Sequence, residues 1–235
     1  MPVLDQWKIS IDANDVLRGQ GADPEVILKR RPSLERTAEV ALLNATSIIH
    51  PIILYEEYKI TKVIHDRLEL QPIFDFQKKP GLHSPLVTRQ LGQAQEVIVM
   101  VCTIGSELDE RVGSLFRVDP LAAIAMDGVG SAAIENLAIQ ACNYFEDMAN
   151  SRGLNTSMPL NPGMIDWTVE QGQPEIFSLL DSEQIQVTLT DSCMMVPNKS
   201  ISMILGVGKD VSATGTSCDF CNLKGICKYQ NHYAE

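Results

Sequence analysis

Hydrophobic residues recur along this chain with two periods, and the changes from one period to the other outline its elements. Asp23-Pro24 sets a capping carboxylate and a proline at a helix start. After Ser33, the residues Leu34, Ala38, Ala41, Leu42, Ala45 and Ile49 form a helical stripe that Pro51 closes. Over 52–76 the β-branched content and the alternation in Tyr58-Lys-Ile-Thr-Lys-Val-Ile64 predict one or two strands. Past a Gly/Pro loop at Lys79-Pro-Gly-Leu-His83, Ser84-Pro85 reads as a cap with proline in the first helical turn. The apolar run 96–103 predicts a buried strand. Gly105 then turns the chain, and Ser106-Glu-Leu-Asp-Glu110 starts a helix whose carboxylates complement its dipole. Asp119-Pro120 starts a longer helix that runs to about Ser151 and is closed by Gly153, with Leu121, Ile124, Ala125, Gly128, Ala132, Leu137 and Ala141 on its apolar face. A helix around 173–180 and period-two strands at 184–190 and 200–206, flanking a loop at 194–199, complete the outline.

With 235 residues, 45% hydrophobic and 21% charged, the chain can bury a sizeable core. Its longest apolar run, 97–104, has the length of a buried strand rather than of a membrane span, so no membrane partner is expected. A net charge of −11 lacks the basic footprint that nucleic acid requires, and the one basic run, Lys29-Arg30-Arg31, reads as a solvated helix end. No repeat, low-complexity tract or linker divides the chain.

The tail changes the picture. Cys218, Cys221 and Cys227 form a C-x-x-C-x5-C pattern and make up half of the six cysteines. A C-x-x-C turn can face two thiolates toward one ion, and Gly225 lets the chain fold back to deliver a third. A redox dithiol and inert thiols are the alternatives. A disulfide would leave the third thiol over, and no cleavable leader opens the chain, so a reducing, cytoplasmic compartment is expected. Three cysteines leave one coordination position, for Cys193, Cys102, Cys142, His232, a partner's residue or an exogenous molecule. Zinc accepts three or four cysteines, whereas an iron–sulfur cluster prefers cysteine throughout.

Other motifs read as structural. Gly128-Val-Gly130-Ser-Ala-Ala133 imitates a dinucleotide fingerprint, but that needs a strand before it, and the residues from Asp119 onward keep helical spacing. The glycines are therefore expected inside a helix, where they admit a closely packed neighbour. Ser192 lacks a nucleophile-elbow context, and His50, His65, His83 and His232 show no ligand spacing. Trp167 and Tyr229 read as core or rim aromatics.

Taken in order, Thr103-Ile-Gly-Ser-Glu-Leu108, Asp127-Gly-Val-Gly-Ser-Ala-Ala-Ile-Glu135, Asn161-Pro-Gly-Met-Ile-Asp-Trp167 and Val187-Thr-Leu-Thr-Asp-Ser-Cys-Met-Met-Val-Pro-Asn-Lys-Ser200 resemble the activation domain of vitamin B12-dependent methionine synthase. The likeness is strongest to short stand-alone relatives with a C-terminal cysteine cluster, and it covers about 90–230. It implies an α+β fold with helices packed around a curved antiparallel sheet. Residues 1–90 would be the N-terminal helical and extended part of the same domain, 91–212 the activation-domain-like core and 213–235 the cysteine-cluster tail. It also implies an accessory role in a corrinoid (cobalamin) methyltransferase system: docking on a corrinoid protein, binding S-adenosylmethionine and supporting reductive reactivation, with an iron–sulfur cluster as a route for electrons. By position, Glu135 matches the helix carboxylate that contacts S-adenosylmethionine in the family. Pro162 and Gly163 match its Pro-Gly turn, and Met164 stands where the family has an aromatic.

The sequence also departs from the family. The arginine placed just before that turn is absent, with Pro159 near its position, and a later tyrosine is replaced around Leu205. Losing the arginine removes a bidentate carboxylate clamp. On this reading Cys218, Cys221 and Cys227 hold the metal, while 162–167 and 194–200 form a docking or ligand surface. Two readings stay open beside it: a zinc–thiolate methyltransferase subunit that activates a thiol acceptor, and a binding module whose zinc staples the tail. No catalytic residue is assigned.

Overall fold

A short strand, β1 (Val3–Leu4), precedes three helices: α1 (Ala13–Gly19), α2 (Pro24–Arg30) and α3 (Ser33–Ala45). In the computed structural model, which describes residues 1–72, 80–211 and 217–221, a hairpin follows, of β2 (Ile52–Ile64) and β3 (Arg67–Pro72). Next come β4 (Gly81–His83), α4 (Pro85–Leu91), β5 (Glu96–Thr103), α5 (Glu107–Leu115) and α6 (Pro120–Ser151). After β6 (Asn155–Thr156) and α7 (Val169–Leu179), the chain forms β7 (Thr188–Leu189), β8 (Met195–Val196) and β9 (Ser200–Gly208).

Among the described residues one antiparallel sheet runs β4-β3-β2-β5-β9-β6, with β1 on the edge of β2 that β3 leaves uncovered; β7 and β8 pair separately. A register shift between Ile60 and Lys62 bends the β2–β3 ribbon. The fold is therefore α+β, helices packed on a curved antiparallel sheet, as the family likeness implied.

The period of the strands decides where everything else goes. On β5, Ile98, Met100 and Cys102 point to a helical layer that includes Val129, Leu137 and Phe145 of α6, while Val97, Val99 and Val101 point the other way, toward Leu86, Leu91, Trp167 and Ile176. The sheet thus separates two cores. Helix α6 starts at its Asp119 cap, where the carboxylate accepts from the Ala122 amide, and ends before Gly153 at φ 69. It is the one described helix long and apolar enough to cross a membrane by length and composition, and 56% of that stretch is buried inside the protein.

Its glycines do what the helical spacing predicts. A Cβ on Gly128 would come within 2.7 Å of the Val16 carbonyl, and one on Gly130 within 2.7 Å of Leu108, so α1 and α5 pack against bare backbone.

Two expectations needed correction, and one helix carried no expectation. Residues 184–190 are not one strand: a 3-10 turn, Ser182–Ile185, is followed by Gln186 at φ 57, and only Thr188–Leu189 pairs. Ile185 and Val187 are both buried, so the period-two pattern records alternating burial that a left-handed kink supplies without an extended strand. The stripe over 33–49 becomes a helix only to Ala45. Helix α1 went unpredicted, although Asp12 and Asp15 cap one another's amides at 2.9 Å.

Candidate functional site

The turn at 161–167 carries three of the expected cofactor residues, and its conformation is unusual. Gly163 has φ 100 and Asp166 φ 62, so the second is a non-glycine in the left-handed region. Three internal backbone bonds close it: the Gly163 amide donates to the Trp167 carbonyl at 2.7 Å, the Trp167 amide to the Met164 carbonyl at 3.1 Å and the Met164 amide to the Asn161 carbonyl at 3.3 Å. Distant segments hold it from outside. The Ser84 hydroxyl donates to the Asp166 carbonyl at 2.7 Å while capping α4, and the Asn161 amide nitrogen donates to the Ser202 carbonyl at 2.9 Å. Beneath, Trp167 is fully buried. Its indole N–H has no hydrogen-bond partner among the described residues, and it rests against Gly172, where a Cβ would lie 2.7 Å from the ring.

The cysteine turn docks on this turn. Residues Ser217–Phe220 form a 3-10 turn, closed by the Cys221 amide donating to the Cys218 carbonyl at 3.3 Å. Cys221 forms an antiparallel bridge with Met164, the Ile165 amide donates to the Phe220 carbonyl at 2.8 Å, and the Phe220 ring packs on the core below. Cys218 and Cys221 are half-buried, and a C-x-x-C pair within one tight turn is a donor set that suits a soft metal. Cys227 and His232 lie outside the described residues; among those described, no three His, Cys, Asp or Glu gather as a metal group.

Of the fourth-ligand candidates, Cys102 and Cys142 are set apart. Cys102 belongs to the core on the opposite face of the sheet, against which Cys142 packs, and burial raises both thiols, that of Cys142 to about 12. Cys193 sits at φ 60 in the hairpin turn between β7 and β8.

Glu135 is separated from the Pro162-Gly163-Met164 edge in the same way. It lies on α6 in the helical layer and lines a cavity of about 90 Å³ with Asp15, Arg18 and Asn136, while Met164 belongs to the core across the sheet. Burial raises its carboxyl above the ordinary 4.5. That cavity is well below the ~300 Å³ at which ligand pockets begin. Of the expected cofactor residues, Pro162, Gly163 and Met164 share one turn, while Glu135 lies on α6 beside α1.

The 194–200 loop is anchored to the helical layer. Lys199 reaches Asp127 at 2.7 Å and Ser131 at 3.0 Å, and the Asn198 amide donates to Asp109 at 2.6 Å, while Met194 and Val196 stay exposed. Sequence reading missed one pair. His83 Nδ1 lies 2.8 Å from Glu175, whose carboxylate also accepts the His83 amide, and Gln171 donates to the His83 carbonyl. These residues are 92 apart in the chain and no local pattern links them. The pair adjoins Ser84 and so braces the turn's support.

No protein-family model and no curated protein matches this chain. Among solved structures it is similar to the crystal structure of the MetH reactivation domain bound to AdoHcy, with a TM-score of 0.62 and 14% identity over 94% of this chain and 83% of that one. The likeness is one of fold.

Proposed function

We propose that this chain is an accessory protein of a corrinoid-dependent methyltransferase system, docking on a corrinoid protein and supporting its reductive reactivation. The observation that carries the reading is the union of the cysteine turn with the 161–167 turn, in a fold shared with the MetH reactivation domain. In this role Cys218, Cys221 and Cys227 hold the metal, an iron–sulfur cluster by preference. Pro162, Gly163 and Met164 form the ledge for an S-adenosylmethionine-type ligand, a choice supported by the AdoHcy bound in that neighbour. The exposed Met194 and Val196 are assigned to the surface on which a corrinoid protein docks. Held there, such a centre would supply one-electron transfer toward a docked corrinoid, drawing on an external electron donor. This chain's residues would orient the methyl donor and exclude water around it, in a reducing, cytoplasmic setting. The three units 1–90, 91–212 and 213–235 are assigned to this scheme as scaffold, ligand core and metal tail.

The test is metal and acid-labile sulfide content with a visible spectrum on protein purified without oxygen. Iron with sulfide, and an absorption that bleaches on reduction, is the expected result. One zinc without sulfide would replace this reading with thiol activation or with a stapled tail.

A further inference from the structure

The cysteine turn and the ligand turn meet through their main chains, and we infer that metal loading at Cys218 and Cys221 sets the conformation of residues 161–167, making the ledge competent to bind. The inference rests on the reading above that these cysteines take a metal.

The 161–167 turn is not self-sufficient. It holds Asp166, a non-glycine, at φ 62, a conformation that persists only where surrounding contacts over-determine it, beside Gly163 at φ 100. Ile165 lies between these two residues and is 37% exposed, so packing holds it only in part. Its amide donates at 2.8 Å to the Phe220 carbonyl, the bond that ties it to the cysteine turn. That carbonyl is offered by a 3-10 turn of four residues, and one turn of this kind is too short to persist in water by itself.

A metal held by Cys218 and Cys221 would close the turn covalently from both ends, leaving the Phe220 carbonyl presented between its ligands. The order then passes from the metal to Phe220 and, through its carbonyl, to the Ile165 amide inside the turn that the bonds of Trp167 close. By linkage the effect is reciprocal: whatever strains the 161–167 turn must weaken the metal by the same factor.

Trp167 provides the readout. The chain has two tryptophans, so Trp7→Phe leaves Trp167 as the sole reporter. In metal-free protein kept reduced and anaerobic, Zn²⁺ is titrated and, separately, ferrous iron with sulfide is reconstituted, while bound metal, Trp167 emission and acrylamide quenching are followed. The expected result is a Trp167 change that saturates with the first equivalent of metal. Gly163→Ala forces a Cβ into φ 100 and is expected to weaken Zn²⁺ about tenfold, within the usual span of coupling between sites. Asp166→Gly removes the non-glycine from φ 62 and is expected to tighten it about two- to fivefold, which keeps the inference testable if the alanine variant does not fold. Metal that binds with no Trp167 response and equal affinity in both variants overturns the coupling and leaves the metal reading standing. Failure of every metal to bind overturns both.

Discussion

The two faces of the sheet are ordered by different means. On the helical face α6 lies over α1 and α5 at glycines, Phe145 and Leu137 fill the space, and the titratable groups Cys102, Cys142 and Glu135 have their neutral forms favoured by burial. On the opposite face a turn with two positive-φ residues is held by groups borrowed from elsewhere: the Ser84 hydroxyl, the Phe220 carbonyl and the Ser202 carbonyl. Burial is spread over many contacts and changes little with any ligand. A few hydrogen bonds across distant segments can be made or lost together, so the second face is the one that can respond to what it binds.

The largest test of this contrast is Trp167→Ala. It empties the space beneath the turn and is expected to cost about 3–5 kcal/mol in urea unfolding. Trp167→Phe should cost much less, because it also removes an indole N–H that has no partner among the described residues. Gly128→Val comes next. Its Cβ would meet Val16 and Gln20 at under 3 Å, and overpacking of this kind costs about 1–3 kcal/mol. The fall in stability should leave metal affinity at the cysteine turn unchanged, since the sheet lies between. Lys199→Met should cost about 1 kcal/mol or less, shrinking with added salt, because Asp127 is half exposed and can regain water.

Helix α6 was legible in the sequence because its rules are local. Asp119-Pro120 and Gly153 bound α6, and the spacing after Asp119 told helical glycines from a nucleotide loop. The Gly163 turn and the cysteine pair were each visible as motifs. Their contact was not. Met164 and Cys221 are brought together by the path of the chain through α7 and β9, which no window of sequence contains. The same limit applies to Glu135: the sequence shows it on a helix, whereas its place beside α1, and that of Met164 in the core on the other face of the sheet, are seen only in the fold. The His83–Glu175 pair was hidden for this reason too.

The smallest expected effect separates the faces most cleanly. Glu135 has its carboxyl raised above 4.5 by burial, with Asp15 and Arg18 as the charged groups lining its cavity. A carboxyl with a raised folded value is held more tightly by its proton in the folded state than in the unfolded one, so stability falls as pH rises through that window. Below the unfolded value both states are protonated and no penalty exists; above the folded value the full penalty is present. Glu135→Gln removes the ionisation. Melting temperatures of the variant and the parent should therefore coincide near pH 4 and diverge in favour of the variant as pH rises toward neutrality. On the proposed role of the 161–167 turn, S-adenosylmethionine binding should weaken in Gly163→Ala and stay unchanged in Glu135→Gln. A variant less stable than the parent at neutral pH would mean that Arg18 holds the ionised carboxylate. A loss of ligand binding in Glu135→Gln would mean that the two faces act on one ligand after all.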